Sequence, residues 1–110
     1  WNNVKLWTDN MYSWNIKIWD HTYFSSTNSQ IFWSNKYYIS IWKYCSIARN
    51  CFITSSNTHD YKELTTNPIF LSKNKKINDI WASIKIWNDV WIWANVTIFP
   101  WIEIWDWAII

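Results

Sequence analysis

Residues 86–110 read IWNDVWIWANVTIFPWIEIWDWAII, and an isoleucine recurs in this stretch every six residues. The series runs through Ile80, Ile86, Ile92, Ile98, Ile104 and Ile110, the interval returns at Ile41, Ile47 and Ile53, and it begins as Leu6, Tyr12, Ile18 and Phe24. A period of six residues fits neither the 3.6-residue α-helix nor a heptad. It is typical of a parallel β-helix, in which each hexad forms one flat side and its turn. The period therefore predicts an all-β fold whose aliphatic residues at this position point inward.

The other hexad positions support the same interpretation when the aliphatic residue is position one. Position five holds mostly small or β-branched residues, including Cys45 and Cys51, and predicts a second, narrower inward-facing site. Position four is the turn, and its residues are Asp9, His21, Asn50, Asp89, Asn95, Trp101 and Trp107. Asn and Asp tolerate the left-handed backbone conformation of such a turn better than other residues with a Cβ atom. Position two points outward and holds Trp1, Trp7, Trp19, Trp42, Trp81, Trp87, Trp93 and Trp105.

The composition limits the class of protein. Thirteen tryptophans and no glycine stand in 110 residues, although an average usage of about 7% predicts roughly eight glycines, and we interpret this as the mark of an engineered chain. The net charge of +2 and a single locally basic stretch, residues 73–76, predict no nucleic-acid partner. No apolar run reaches the ~18 residues of a membrane span. The two cysteines indicate small interior side chains rather than a disulfide framework or a metal pair, and they favour a cytoplasmic location.

The period also divides the chain. It predicts a single β-helix domain over residues 1–110, with interruptions between Phe24 and Ile41 and again in residues 54–79. The second interruption is polar and rich in lysine, which indicates a long excursion loop, and loops of this length are usually functional or disordered. The chain begins at Trp1 and stops at Ile110, so we expect a fragment whose C-terminal coils are truncated.

Three segments together resemble the hexapeptide-repeat acyltransferases, in the branch of sugar O-acetyltransferases and xenobiotic acetyltransferases. They are IWKYCSIARN at residues 41–50, SNTHDY at residues 56–61 and the stretch 86–110. The hexad of that family reads aliphatic–Gly–x–x–small–x, and the resemblance implies that family members have Gly at positions 42, 87, 93, 101, 105 and 107. The chain is similar to a member of the family in which each of these glycines has become Trp.

The resemblance implies a left-handed parallel β-helix of triangular section, with three hexads in each coil. Residues 18 apart would then lie one above another, so that Trp87 stacks on Trp105 and Trp1 on Trp19 in outward ladders of indoles. It also implies a homotrimer whose active sites lie between neighbouring subunits. The implied activity is transfer of an acetyl group from the co-substrate acetyl-CoA to a hydroxyl of a small acceptor such as a sugar.

The same resemblance assigns roles to residues near the excursion loop. His59 is implied as the general base, a role that suits a neutral imidazole near pH 7. Asn57, Asp60 and Trp91 are implied as substrate-binding residues. Trp93, Ala94 and Lys75 are implied as acetyl-CoA-binding residues, and no metal site is expected. The alternatives are an exposed loop histidine, ordinary turn residues at 57 and 60, and solvated lysines at 73–76.

The tryptophans raise alternatives to an active enzyme. Trp101 and Trp107 require a left-handed backbone, which costs ~1–2 kcal/mol for a residue with a Cβ atom. The indole of Trp93 is expected to fill space that acetyl-CoA needs. One alternative is therefore a non-catalytic β-helix scaffold or glycine-free variant without activity. A carbohydrate-binding module with a Trp platform is another, but it requires Trp on one face, whereas the Trp phase runs around all three faces.

Overall fold

The computed structural model describes residues 5–8, 15–26, 28–33, 36–57, 67 and 80–110. Short strands and turns make up these ranges, and no helix in them is long and apolar enough to cross a membrane. The strands are β1 (Lys5–Thr8), β2 (Ile16–Ile18), β3 (Tyr23–Phe24), β4 (Gln30–Trp33), β5 (Ile39–Ile41), β6 (Ser46–Ile47), β7 (Phe52–Thr54), β8 (Ser56–Asn57), β9 (Ile80–Trp81), β10 (Ile84–Ile86), β11 (Trp91–Ile92), β12 (Thr97–Ile98) and β13 (Glu103–Ile104).

The strands form three parallel sheets that the chain visits in turn. Sheet A has the order β1–β4–β7–β12, sheet B the order β2–β5–β10–β13, and sheet C the order β3–β6–β11. We call one passage through the three sheets a coil: β1 to β3 form coil one, β4 to β6 coil two, and β7, β10 and β11 coil three. Coil four contains β12, β13 and Ile109, which forms an isolated parallel bridge with Trp91. The all-β prediction is confirmed, and the arrangement is compatible with a parallel β-helix.

The aliphatic residues of hexad position one form the core. Each predicted residue from Ile41 to Ile104 that lies in a parallel sheet is at most 6% exposed, namely Ile41, Ile47, Ile53, Ile86, Ile92, Ile98 and Ile104. Burying one such side chain contributes ~1.5–3 kcal/mol. Ile80 does not continue this series, because it lies in β9, which pairs antiparallel with β8. In that coil the core position of sheet A is occupied by Ile53 instead.

Hexad position five lies inside the corners between sheets. Cys45 and Cys51 are buried and free, as predicted, and their thiols also donate hydrogen bonds. The Sγ of Cys45 lies 2.9 Å from the carbonyl oxygen of Trp87, and that of Cys51 lies 3.1 Å from the carbonyl oxygen of Trp93. One coil earlier in the chain, the hydroxyls of Thr22 and Ser29 donate in the same way to the carbonyl oxygens of Trp42 and Ala48. Small polar side chains therefore satisfy carbonyl groups that point into the core.

Ile102 is the exception at position five, because its side chain is 42% exposed. The inward prediction for this residue is wrong. It precedes β13, which is the edge strand of sheet B, so neighbouring strands cover it from one side only.

The regular corners use left-handed backbone at hexad position four. Seven residues have positive φ between 54° and 70°, and they are His21, Tyr44, Asn50, Asp89, Asn95, Trp101 and Trp107. Every predicted turn residue in the described ranges is confirmed, and Tyr44 is added. In this conformation the backbone N–H points toward the preceding coil. The N–H of Asp89 donates to the carbonyl oxygen of Lys43 at 2.9 Å, and that of Asn95 donates to the carbonyl oxygen of Arg49 at 3.1 Å. Asp9 lies outside the described residues.

Coil length varies, so the predicted spacing of 18 residues between stacked positions holds only between coils three and four. Ile86 pairs with Ile104, 18 positions later, but Ile18 pairs with Ile41 and Ile41 with Ile86. The extra residues lie chiefly at the corner between sheets A and B. The longest insertion leaves through β8 and returns through β9, whose register joins Ser56 to Trp81 and Asn57 to Ile80.

Candidate functional site

The segment that carries the implied catalytic residue begins at the A–B corner of coil three. Asn57 ends β8, and its backbone pairs with Ile80 across the two-stranded antiparallel ladder. The ladder brings the two ends of the excursion together beside sheet A. His59, Asp60 and Lys75 lie outside the described residues, so their roles stay predictions.

The implied ligand-binding residues lie on a different face, the outward side of sheet C. The parallel register aligns Tyr23 with Ser46 and Ser46 with Trp91 in one column. A second column, two residues later in each coil, contains Ser25, Ala48 and Trp93. The backbone N–H of each donates a hydrogen bond to a carbonyl oxygen of the next coil. Small residues in coil two thus separate aromatic residues in coils one and three.

This arrangement leaves a cavity of about 130 Å³, which we call the sheet C slot. Its walls include Tyr23 and Trp91, and Ser25, Ser46, Ala48 and Ile47 complete the lining. Tyr23 and Trp91 are two coils apart, which is roughly 9–10 Å at the usual strand spacing. Two aromatic side chains and two hydroxyls can hold a ligand with an apolar face and a polar edge, such as a sugar ring.

Trp93 packs against the neighbouring indole on sheet C, and the expectation that it fills ligand space stays a prediction. Its ring stacks on Trp91 with centroids 4.7 Å apart and planes 29° from parallel. Both indoles stay partly open, with exposed fractions of 43% for Trp91 and 55% for Trp93. Ala94 is half-buried in the turn before Asn95, at the corner between sheets C and A. Of the three residues, therefore, Trp91 lines the slot, Trp93 supports Trp91, and Ala94 lies at the corner.

Among the described residues of the predicted site, Asn57 lies apart from Trp91 and Trp93. Asn57 follows β7 of sheet A at the A–B corner, whereas Trp91 and Trp93 lie on sheet C. Because the chain visits three sheets in turn, the A–B corner lies on the side of the section opposite sheet C. The described ends of the excursion, at Asn57 and Ile80, therefore lie away from the sheet C slot.

Sheet B carries the predicted ladder of indoles. Trp19 and Trp42 stack at 4.8 Å, Trp42 and Trp87 at 5.0 Å, and Trp87 and Trp105 at 5.8 Å between ring centroids. The stacking of Trp87 on Trp105 is confirmed, whereas Trp1 lies outside the described residues. The Nε1 of Trp87 donates to a carboxylate oxygen of Glu103 at 2.8 Å. Four position-two tryptophans thus share one face, a concentration that the phase of the repeat does not reveal.

The buried thiols and the possible metal ligands are the remaining candidates for reactive groups. Burial raises the pKa of the Cys45 and Cys51 thiols above the ordinary value of 9.0, so both stay protonated and unreactive near neutral pH. The ranges that the structure describes contain no group of three His, Cys, Asp or Glu residues able to hold a metal ion.

Trp33 is 5% exposed, and its indole Nε1 is buried without a hydrogen-bond partner. It ends β4 at the A–B corner, and no repeat position in the sequence identified it.

Comparisons with known proteins add no assignment. No protein-family model, no curated protein and no solved structure matches the chain.

Proposed function

We propose that the chain is a left-handed β-helix of triangular section and, by lineage, an O-acetyltransferase of the hexapeptide-repeat type. The transfer would run from acetyl-CoA to a hydroxyl of a sugar or similar acceptor. The observation that carries the proposal is the left-handed backbone at hexad position four, which extends to Trp101 and Trp107 with φ of 70° and 62°. Such angles favour glycine, and these are two of the positions at which the family would have it.

The arrangement of the predicted site supports a homotrimer. The A–B corner with residues 56–57 and the sheet C slot lie on opposite sides of one chain. A cyclic assembly packs one face of each copy against a different face of the next. The excursion of one copy would then reach the slot of its neighbour, and each site would take residues from two chains.

The proposed chemistry is direct transfer without an acyl-enzyme. His59 would take the proton of the acceptor hydroxyl while that oxygen attacks the thioester carbonyl carbon. The tetrahedral intermediate would collapse with cleavage of the carbon–sulfur bond, and the imidazolium would return the proton to the CoA thiolate. Asn57 and Asp60 would orient the acceptor or the imidazole, and Trp91 would pack against the acceptor ring. Lys75 would meet CoA phosphates, and Trp93 and Ala94 would border the pantetheine groove.

The test is a thiol-release assay with acetyl-CoA and a panel of hydroxyl acceptors. It compares the chain with a variant that carries Gly at 42, 87, 93, 101, 105 and 107. We expect acceptor-dependent release in the Gly variant, and His59→Ala in that background should lower turnover by roughly 10²–10⁴-fold while acetyl-CoA binding persists.

The matched control is His21→Asn, because His21 is exposed and lies at the B–C corner, and Asn tolerates its φ of 63°. It should leave turnover unchanged. Equal turnover in the His59 and His21 variants contradicts the role of His59. A folded Gly variant that releases no thiol with any acceptor contradicts the enzymatic proposal.

A second candidate is a non-catalytic scaffold. The contact between Trp91 and Trp93 favours it, because the two indoles cover each other on the face that would bind acetyl-CoA. The scaffold predicts that the chain folds into the same parallel sheets and binds no acetyl-CoA, whether or not glycine is restored at 93.

A further inference from the structure

A second cavity lies on the outward face of sheet B, at the end of the indole ladder. Its volume is about 280 Å³, and its lining comes from two coils: Asn15, Lys17, Trp19, Tyr38 and Ser40. We call it the ladder-end site. The parallel register of β2 and β5 sets Lys17 beside Ser40. This volume is just below the ~300–1,000 Å³ of cavities that take drug-sized ligands, which suits a single sugar ring.

The lining combines an aromatic wall with polar groups. Trp19 and Tyr38 line the cavity with aromatic side chains that suit the C–H side of a sugar, and Tyr38 is 41% exposed. Asn15, Ser40 and Tyr38 carry an amide and two hydroxyls that suit sugar hydroxyls. Sugar recognition requires both kinds of group in one cavity.

The charged side chain among the described lining residues of this cavity is a cation. Lys17 lines it, and Ser40 pairs on its other side with Lys85 in the same outward column. The next residue of that column is Glu103, and its carboxylate accepts the hydrogen bond from Trp87. No carboxylate is among the described lining residues. The local charge therefore favours an anionic ligand over a neutral one.

Trp19 is also held in place before any ligand arrives. Its ring lies on Trp42 with the planes 10° from parallel, and the stack continues through Trp87 to Trp105. An aromatic side chain that is already ordered loses little conformational entropy when a ligand binds, and this raises the affinity for the ligand.

We propose that the ladder-end site binds an acidic monosaccharide, a hexuronate, with its ring against Trp19 and Tyr38 and its carboxylate at Lys17. The site lies on a different sheet from Trp91, so it is separate from the acceptor site of the proposed acetyl transfer. Binding of a sugar acid here does not depend on that activity.

The experiment titrates the full chain with glucuronate, glucose and acetate at low ionic strength and follows heat or amide chemical shifts of coil one. Glucuronate should bind more tightly than either of the others by roughly tenfold, which corresponds to one charge-assisted hydrogen bond. Lys17→Gln should remove the preference for glucuronate over glucose. Added salt should reduce the same preference, because Lys17 is exposed.

The matched control is Lys43→Gln, since Lys43 is exposed at the corner before Tyr44 and is not among the lining residues. It should leave the glucuronate preference unchanged. Equal binding of acetate and glucuronate overturns the proposal in favour of simple ion pairing. Equal binding of glucose and glucuronate, or a preference that survives Lys17→Gln, overturns the acidic specificity. Absence of glucuronate binding to the folded chain overturns the site altogether.

Discussion

The B–C corner and the A–B corner both join strands of the parallel sheets, yet they differ in how many residues they contain from coil to coil. At the B–C corner the core residues of successive strands are always six apart, from Ile18 and Phe24 up to Ile86 and Ile92. At the A–B corner only coil four keeps this interval, between Ile98 and Ile104. The excursion between β7 and β10 is the longest departure.

We attribute the constant length of the B–C corner to its hydrogen bonds. Amides at the B–C corner form a continuous ladder, in which Tyr44 donates to Asp20 at 3.3 Å, Asp89 to Lys43 at 2.9 Å and Trp107 to Asn88 at 3.1 Å. Inside the same corner, Thr22 and Cys45 satisfy carbonyl groups. A corner with such bonds on both sides has no room for an extra residue. Insertions, and the functional residues that loops usually carry, are therefore expected at the A–B corner.

The largest effect should come from lengthening each corner by one residue. An alanine inserted between Asn88 and Asp89 interrupts the bonds to Lys43 and from Trp107, and it exchanges the inward and outward faces of the strand after the corner. We expect a loss of roughly 3 kcal/mol or more, because two backbone hydrogen bonds are lost at about 0.5–1.5 kcal/mol each and the buried Ile92 turns outward, at about 1.5–3 kcal/mol. Urea unfolding monitored by Trp fluorescence measures the loss.

The matched insertion lies between Lys36 and Tyr37, at the A–B corner of coil two. Its cost should stay below about 1 kcal/mol, since lengthening a loop that is already open costs little entropy. Equal losses at the two corners would show that both tolerate insertion alike, and the explanation from hydrogen bonding would be wrong.

The next effect concerns a strained residue within the B–C corner. Trp107 has φ of 62° and is 75% exposed, so Trp107→Gly relieves strain and removes little packing. We expect a gain of about 1–2 kcal/mol and a higher melting temperature. Trp101→Gly should act in the same direction, because Trp101 has φ of 70° and is 58% exposed.

Asn95→Gly is the control for strain, because Asn tolerates φ of 64° at little cost. Its melting temperature should change by much less than that of Trp107→Gly. Under the proposed acetyl transfer, neither turn substitution should change acetyl-CoA affinity much, whereas Trp93→Gly should raise this affinity without raising the melting temperature, because it relieves no strained φ and removes the stack on Trp91. If Trp93→Gly, Trp101→Gly and Trp107→Gly change the melting temperature and the acetyl-CoA affinity alike, the distinction between strained turns and a covered groove is wrong.

The sequence supports the fold further than it supports the site. The six-residue period identifies the buried isoleucines, the left-handed corners and the interior thiols, because one register repeats wherever the corner length is constant. It misplaces Ile80, which has the phase of Ile86 but lies in the antiparallel strand β9, because the insertion at the A–B corner still includes this residue. The ladder-end site escapes detection for the same reason: Lys17 and Ser40 become neighbours only when the insertion between their strands is known.

A smaller effect should appear in the indole ladder, which lies just before the B–C corner. Trp42 contacts an indole on each side, so Trp42→Ala and Trp87→Ala should be coupled. A double-mutant cycle should give a coupling of ~0.5–1.5 kcal/mol, as for other aromatic pairs. Trp42→Ala with Trp93→Ala is the control, since Trp93 stacks on Trp91 on another sheet. A coupling of equal size in both cycles contradicts direct stacking.

The smallest effect depends on pH and tests the interior of the B–C corner. Burial is the largest cause that raises the pKa of the Cys45 thiol above its ordinary value of 9.0, so the folded state keeps this proton to a higher pH than the unfolded state. Above pH 9 the unfolded chain therefore binds fewer protons, and the stability contributed by the neutral thiol falls as pH rises. Below that pH the contribution is complete.

Cys45→Val, which places at this position the residue type found at Val90 one coil above, should lower stability by ~0.5–1.5 kcal/mol near pH 7 through loss of the bond to Trp87. The difference in unfolding free energy between the chain and this variant should shrink between pH 8 and pH 10, because only Cys45 has the extra titration. All other ionisable groups are common to the two proteins and cancel in the difference. A difference that stays constant over this range would mean that the folded and unfolded thiols titrate alike, and that the corner is open to water where the structure shows it closed.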